Sequence, residues 1–111
     1  AIRTALSRIL TSHGYKVLEA SNGGEALRIS ANEPGNIDLL LTDVMMPGIG
    51  GKELVRRLQE QRPATRVIMM SGYTEDADLR ADLGAARFTF LQKPFAARQV
   101  IAAVREALDA R

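Results

Sequence analysis

The stretch that decides the fold is Ile37-Asp38-Leu39-Leu40-Leu41-Thr42-Asp43, an apolar run that ends in a carboxylate. A second apolar run, Val67-Ile68-Met69-Met70, leads into Ser71, and a third run, Phe88-Thr89-Phe90-Leu91-Gln92, leads into Lys93. Runs this short and this apolar are typical of parallel strands that are covered on both faces. The sequence therefore predicts a buried sheet whose strands are followed by polar side chains.

Segments with helical periodicity alternate with these strands. Apolar residues recur at helical spacing from Ile2 to Leu10, and the helix is predicted to stop at Gly14, which can adopt the left-handed conformation of a helix C-cap. The remaining predicted elements are a strand over Tyr15–Ala20 and helices over about Gly24–Ala31, Lys52–Glu60, Glu75–Leu83 and Arg98–Leu108. Such alternation calls for a parallel sheet with right-handed crossovers and with helices on both faces.

The composition is that of one globular domain. The 111 residues are 46% hydrophobic and 25% charged, which is ordinary for a protein that folds around a single core. Basic and acidic residues are interleaved and the net charge is only +2, which argues against nucleic acid as a direct partner. Cysteine is absent, so thiolate metal sites are excluded. No apolar run approaches the ~18 residues of a membrane span, so we expect a cytoplasmic protein without membrane insertion.

Polar residues at the strand ends are the first candidates for function, because ligands bind beyond the carboxyl ends of strands in open parallel sheets. Each has an ordinary explanation when taken alone: Asp43 as a turn former or helix cap, Ser71 as part of a turn, and Lys93 as a solvated charge. Together they would bring a carboxylate, a hydroxyl and an ammonium to one rim. Their conjunction at successive strand ends is what favours a functional site over three separate ordinary roles.

Three stretches then resemble the signature motifs of the response-regulator receiver family. They are Leu40-Leu41-Thr42-Asp43-Val44-Met45-Met46-Pro47-Gly48, Met70-Ser71-Gly72-Tyr73 and Phe90-Leu91-Gln92-Lys93-Pro94-Phe95, in the family's order and spacing. The resemblance covers essentially all of residues 1–111 as a single receiver domain. It implies a flavodoxin-like, doubly wound α/β fold with a parallel sheet in the strand order 2-1-3-4-5.

The resemblance also implies a role for particular residues. Asp43 corresponds to the phosphoacceptor, Lys93 to the cation that binds phosphate, Ser71 to the switch hydroxyl and Phe90 to the rotating aromatic residue. Mg²⁺ is the implied cofactor, bound by Asp43 and by the backbone carbonyl of Met45. The implied partners are a histidine kinase or phosphotransfer protein as donor, and a second copy or a linked output domain. The chain is expected to be a switch and not an enzyme, although the motifs most resemble receivers attached to hybrid sensor histidine kinases.

One part of the family pattern is missing from the sequence. The family's first strand ends in a pair of acidic residues that help to bind Mg²⁺, whereas this sequence begins inside the first helix. We therefore expect a domain that is incomplete at its N-terminus and that has an incomplete metal site. Asp38 cannot replace the missing acids, because it precedes Asp43 by five residues in one strand, about 16–17 Å at a rise of ~3.3 Å per residue.

Three other functions are weighed. A degenerate receiver would act as a non-phosphorylated interaction or dimerisation module, which the missing acids favour. A phosphohydrolase with an aspartyl nucleophile would need a second acid two residues after Asp43, where Met45 stands instead. A flavin-binding module would need a phosphate-cradling run of Ser, Thr and Gly after a strand, and the sequence has none.

Overall fold

A computed structural model describes residues 2–43, 48–71, 88–92 and 95–109 of the chain. The elements, in chain order, are α1 (Ile2–Ser12), α2 (Gly23–Asn32), β1 (Leu39–Asp43), α3 (Gly51–Gln61), β2 (Arg66–Ser71), β3 (Phe88–Gln92) and α4 (Ala97–Asp109). These helices and strands confirm their predicted counterparts, with bounds that agree to within about two residues. The helix predicted over Glu75–Leu83 lies outside the described residues. Across the described ranges, no helix combines the length and the apolar character that a membrane crossing requires.

The three strands form one parallel sheet in the order β1-β2-β3. Asp43 at the end of β1 is paired with Met70 of β2, and Met70 is paired with Leu91 of β3. The predicted α/β class with a parallel sheet is thus confirmed. The observed order agrees with the last three positions of the predicted order 2-1-3-4-5.

Strand β2 is buried on both faces, which makes it the centre of the core. Ile68 and Met70 point to one face, where they join a cluster formed with α1, β3 and α4. The members of that cluster are Leu6, Leu10, Ile68, Met70, Leu91, Val100, Val104 and Ala107. Val67 and Met69 point to the other face by strand alternation and are equally buried. Together with the buried Leu54, Val55 and Leu58 of α3, they indicate that helices cover both faces.

The prediction of a strand over Tyr15–Ala20 is wrong, because this segment has no regular secondary structure. A strand is stable only when its backbone groups are paired. The sheet in the described part of the chain consists of β1, β2 and β3, and none of these strands pairs with the segment. Side chains position the segment instead: the Arg3 guanidinium donates to the carbonyl of Ala20 over 3.2 Å, and Val17 packs against the core cluster.

A cleft of about 650 Å³ lies between that segment and β1. Its lining is mostly apolar, and Asp43 also borders it. Leu39, Leu40 and Leu41 are only half-buried as a result, although the sequence predicted a strand covered on both faces. The lack of a pairing strand explains this difference too. In the described sheet β1 has a neighbouring strand on one edge only, so its other edge is accessible.

Arg62, directly after α3, ties the end of α3 to the end of α2. Its Nε donates to Ser30 Oγ over 2.9 Å, and one terminal nitrogen donates to the carbonyls of Ser30 and Glu33 over 2.8 Å each. The other terminal nitrogen donates to the carbonyl of Gly35 over 2.9 Å. The last carbonyls of a helix have no partner within the helix, and a cation is favourable at that end. Arg62 therefore fixes both the C-terminus of α2 and the loop that leads to β1.

We expect Arg62→Ala to lower the free energy of unfolding by about 2–3 kcal/mol, because it removes several hydrogen bonds to a charged group and leaves Ser30 without them at a buried position. Arg57→Ala is the matched control, since Arg57 makes an exposed ion pair with Glu53 and should cost under about 1 kcal/mol. Urea unfolding of the two variants measures the difference. Equal losses would contradict the role of Arg62.

Glu53 organises the exposed charges at the start of α3. Its carboxylate accepts hydrogen bonds from Arg56 and from Arg57, which lie three and four residues further along the same face of the helix. These hydrogen bonds lower the pKa of Glu53 from its usual 4.5 to about 2. The negative charge also lies in the first turn of the helix, where it interacts favourably with the helix dipole.

The lowered pKa of Glu53 predicts a pH dependence of stability. Since the folded pKa lies below the unfolded one, the contribution is fully present above about pH 4.5 and is lost as the pH falls towards about 2. We expect the melting temperature of Glu53→Gln to lie below that of the wild type at neutral pH and to approach it in acid. Because Glu53 is exposed, high salt should also shrink the difference. A difference that stays constant from pH 6 to about 2 would exclude this contribution.

Candidate functional site

The register of the sheet brings the candidate site residues to one edge. Asp43 is level with Met70, so Ser71 lies one residue beyond the partner of Asp43 on the adjacent strand. Gln92 is the partner of Ser71 on β3, and Lys93 follows Gln92 directly in the chain. The carboxyl ends of three neighbouring parallel strands therefore meet where the sequence predicted a common rim.

The position of Asp43 is determined from the opposite end of β1. There Thr65 Oγ1 donates to the carbonyl of Ile37 over 2.7 Å, and the Arg66 amide donates to the carbonyl of Asp38 over 3.0 Å. These hydrogen bonds fix which residue of β1 lies beside which residue of β2. Four ladder steps later the same register delivers Asp43, half-buried, to the edge of the sheet.

Thr42 anchors the last residues of β1. It is only 5% exposed, and its Oγ1 donates to the carbonyl of Asp43 over 3.1 Å. A buried hydroxyl needs a hydrogen-bond partner, and this one uses the backbone at the point where the strand ends. The backbone of Asp43 is thus held by two interactions, the pairing of β1 with β2 and the hydrogen bond from Thr42.

The N-terminus of α2 borders the same cleft as Asp43. Asn22 caps this helix, since its Oδ1 accepts a hydrogen bond from the Glu25 amide over 2.8 Å. Glu25 returns the interaction by accepting from the Ser21 amide over 2.6 Å, which lowers the pKa of the Glu25 carboxyl group. This arrangement is a variant of the capping box, in which Glu25 accepts from the amide one residue before the N-cap. It makes the first turn of α2 a fixed wall beside the acceptor strand.

The loop after Asp43 contacts that wall. Gly23, the first residue of α2, is buried against Ile49, which lies shortly before α3. Gly48, the residue before it, has a φ of 74°, a left-handed conformation that glycine adopts without strain. The sequence gave no sign that the loop before α3 would contact α2.

The structure describes the predicted site residues to different extents. Asp43 is fully described, whereas Ser71 and Phe90 are described only by their backbone, within β2 and β3. Phe90 is paired with Met69, one ladder step before the level of Asp43. Lys93 and Met45 lie outside the described residues, so their predicted roles stay predictions.

The described residues do not by themselves supply the Mg²⁺ site that the resemblance implies. Mg²⁺ prefers octahedral oxygen coordination and is usually held by one or two carboxylates with water and phosphate. Asp43 offers one carboxylate at the rim, but the described part of the chain contains no group of three His, Cys, Asp or Glu side chains that could hold a metal ion. Asp38, at the opposite end of β1, cannot contribute.

Sequence reasoning missed two parts of this site. The capping box was visible as Asn22 followed three residues later by Glu25, but the segment from Ser21 to Gly23 was interpreted only as a strand boundary. The contact between Gly23 and Ile49 had no sequence signal, because it joins the first residue of α2 to the loop before α3, which only the fold brings together.

Comparisons with known proteins agree with this geometry. The family model for the response regulator receiver domain matches residues 1–105. The chain is 41% identical over 109 residues to the sensor kinase CckA of Brucella abortus, covering 98% of this chain and 12% of that protein. It is 36% identical over 107 residues to the transcriptional regulatory protein ResD of Bacillus subtilis, covering 96% of this chain and 43% of that protein. The chain thus spans less than half the length of these two relatives.

Solved structures show the same fold. A response regulator receiver domain protein from Clostridium thermocellum superimposes with a TM-score of 0.87 at 28% identity, covering 97% of this chain and 86% of that one. A CheY-like receiver domain protein from Methanospirillum hungatei gives a TM-score of 0.83 at 31% identity, covering 97% and 85%. With the motifs, the sheet register and the family match in agreement, the chain belongs to the response-regulator receiver family of two-component signalling.

Proposed function

We propose that this receiver domain is a phosphoacceptor switch that takes a phosphoryl group on Asp43 from a histidine kinase or phosphotransfer protein. The observation that carries the proposal is the register that sets Asp43 and Ser71 at one edge, with Lys93 one residue beyond the partner of Ser71. Asp43 is half-buried and borders an open cleft, so a phosphodonor can approach its carboxylate.

The chemistry is a displacement at phosphorus. A carboxylate oxygen of Asp43 attacks the phosphorus of a phosphohistidine, the new O–P bond forms as the N–P bond breaks, and the imidazole leaves with the electron pair and takes a proton from solvent. Negative charge on the phosphoryl oxygens is then stabilised by the ammonium of Lys93. The product is an acyl phosphate on this chain, so the donor supplies the energy and the receiver only stores it.

Ser71 converts this event into a structural signal. Its hydroxyl gains a hydrogen-bond acceptor only when a phosphoryl oxygen is present, so the interaction exists in the modified state alone. Phe90 would rotate into the space that Ser71 leaves. Because β3 packs against α4 through Leu91 and Val100 of the core cluster, the surface formed by β3 and α4 is where we expect a second copy or a linked output domain to detect the change.

The relatives support a place in a longer signalling protein. One is a sensor kinase and another a transcriptional regulatory protein, and in each the similar region is a minor part of the chain. We infer that this receiver acts in the cytoplasm as acceptor for a kinase, with the catalytic transfer machinery on the donor. The identity to the sensor kinase favours a hybrid histidine kinase as the parent chain.

A degenerate receiver is the second candidate function. The observation in its favour is that Asp43 is not accompanied by two further metal-binding acids within the described residues. Such a module would use the same surfaces for dimerisation or binding without a phosphoryl group. Phosphorylation of the chain decides between the two.

We expect acetyl phosphate with Mg²⁺ to add the mass of one phosphoryl group, and Asp43→Asn to abolish that increase. Asp38→Asn is the matched control, since Asp38 immediately precedes the other end of the same strand and should leave the rate unchanged within about twofold. Intact mass spectrometry of the three proteins measures the modification. Full modification of Asp43→Asn would remove the acceptor assignment, and an unmodified wild type would support the degenerate receiver.

We also expect the 111-residue chain to bind Mg²⁺ weakly, because the described residues provide one rim carboxylate. A variant extended at its N-terminus by an apolar strand that ends in two acids should bind Mg²⁺ at least tenfold more tightly, a gain of about 1.4 kcal/mol or more. It should also melt at a higher temperature, because the added strand can fill the cleft and pair with β1.

The control replaces the two added acids by alanine. This variant should keep the higher melting temperature and lose the gain in Mg²⁺ affinity, which separates strand pairing from metal binding. Isothermal titration with Mg²⁺ and thermal unfolding supply the two readouts. Equal Mg²⁺ affinity in all three proteins would show that the added acids are not ligands.

A further inference from the structure

Helix α2 is held by hydrogen bonds at both ends, so its first turn cannot easily move away from the residues that contact it. The capping box of Asn22 and Glu25 fixes the N-terminus, and the guanidinium of Arg62 fixes the C-terminus through Ser30 and Glu33. Packing against α3 supports the helix between these ends. Any atom added to the first turn must therefore be accommodated by whatever faces it.

The residue that faces this turn is Ile49. A Cβ placed on Gly23 would lie 3.1 Å from the Cβ of Ile49 and 3.1 Å from its carbonyl oxygen. Both separations are closer than ordinary van der Waals contact, so the neighbour would have to move by a few tenths of an ångström. One of the two atoms belongs to the backbone and cannot rotate away as a flexible side chain would.

Ile49 belongs to the segment that joins Asp43 to α3. The far side of this segment is anchored, since α3 begins at the buried Gly51 and buries Leu54 and Val55. Ile49 follows Asp43 by six residues in the chain. With α2 and α3 both held, we expect a displacement of Ile49 to be taken up on the side of Asp43.

We infer that Gly23 is a positioning residue for the phosphoacceptor: its lack of a side chain sets how closely the loop after Asp43 approaches α2. The inference rests on the proposed function for its effect on phosphorylation, and on the contact with Ile49 for its geometry. Among the described residues, the atoms nearest to a Cβ on Gly23 all belong to Ile49, so the proposed role of Gly23 is to act through Ile49. Phosphoryl transfer is sensitive to such support, because displacements of a fraction of an ångström around the reacting atoms reduce the rate.

The neighbouring glycine provides the matched control. Gly24 is also in the first turn of α2, but among the described residues a Cβ there would meet only the Asn22 Oδ1, at 3.4 Å. Alanine at either position changes helix propensity in the same direction. The two substitutions therefore differ chiefly in the contact with Ile49.

The experiment compares wild type, Gly23→Ala, Gly23→Val and Gly24→Ala. Acetyl phosphate with Mg²⁺ is the phosphodonor, and the rate of modification is followed by intact mass. Amide NMR shifts of Gly48, Ile49, Gly50 and Asp43 are recorded without donor, and melting temperatures report folding. We expect Gly23→Ala to shift these amides and to slow phosphorylation threefold to tenfold, with a larger effect of Gly23→Val. Gly24→Ala should phosphorylate at the wild-type rate and leave the Asp43 amide unshifted.

The two readouts separate this inference from the proposed function. Equal Asp43 and Ile49 shifts in Gly23→Ala and Gly24→Ala would overturn the positioning role, whatever the phosphorylation rate. Shifts confined to Gly23→Ala with an unmodified wild type would uphold the positioning contact and reject the phosphoacceptor. A loss of rate that follows melting temperature in all variants, with no shift at Asp43, would also overturn it.

Discussion

The parallel register of the three strands is the constraint on which the rest of the structure depends. A slip by one residue would exchange the faces of a strand and move Asp43 away from the level of Met70, the residue that precedes Ser71. Thr65 and Arg66 prevent this by hydrogen bonding to the carbonyls of the two residues that precede β1. The burial of β2 on both faces enforces the register along its length. The candidate acceptor is thus positioned by residues at the opposite end of its own strand.

Among the described strands, β2 occupies the centre of the sheet, because it pairs with β1 on one edge and with β3 on the other. The levels of Asp43 and of Leu91 are therefore both set by the same residue of β2, Met70. Ser71 follows Met70 directly in the chain, so the candidate switch residue lies on the strand that relates the other two.

Prediction from sequence succeeded where the physical signal is local. Apolar runs identified β1, β2 and β3, and helical periodicity identified four helices, because both depend on spacing within one segment. The prediction of a strand over Tyr15–Ala20 failed because pairing depends on two segments and not on one. The half-burial of β1 has the same cause, since the cleft and not a strand lies beside its other edge. Arg62 was missed because nothing local distinguishes a solvated arginine from one that binds three carbonyls and a hydroxyl. The rim itself was predictable, since topology places successive strand ends together.

Helix α2 contains residues of low helix propensity, and one of them contributes to the geometry of the candidate site. Two glycines in its first turn, and Ser30 and Asn32 in its last, are poor helix formers, so the sequence by itself favours this helix weakly. Its end contacts compensate: the Asn22 side chain accepts from the Glu25 amide, the Glu25 carboxylate accepts from the Ser21 amide just before the helix, and Arg62 donates to the carbonyls of Ser30 and Glu33. Alanine at residue 23 would suit the helix better, yet it would collide with the loop after Asp43. Where a local rule is broken beside a candidate site, the close approach of two backbones is the physical reason for the exception.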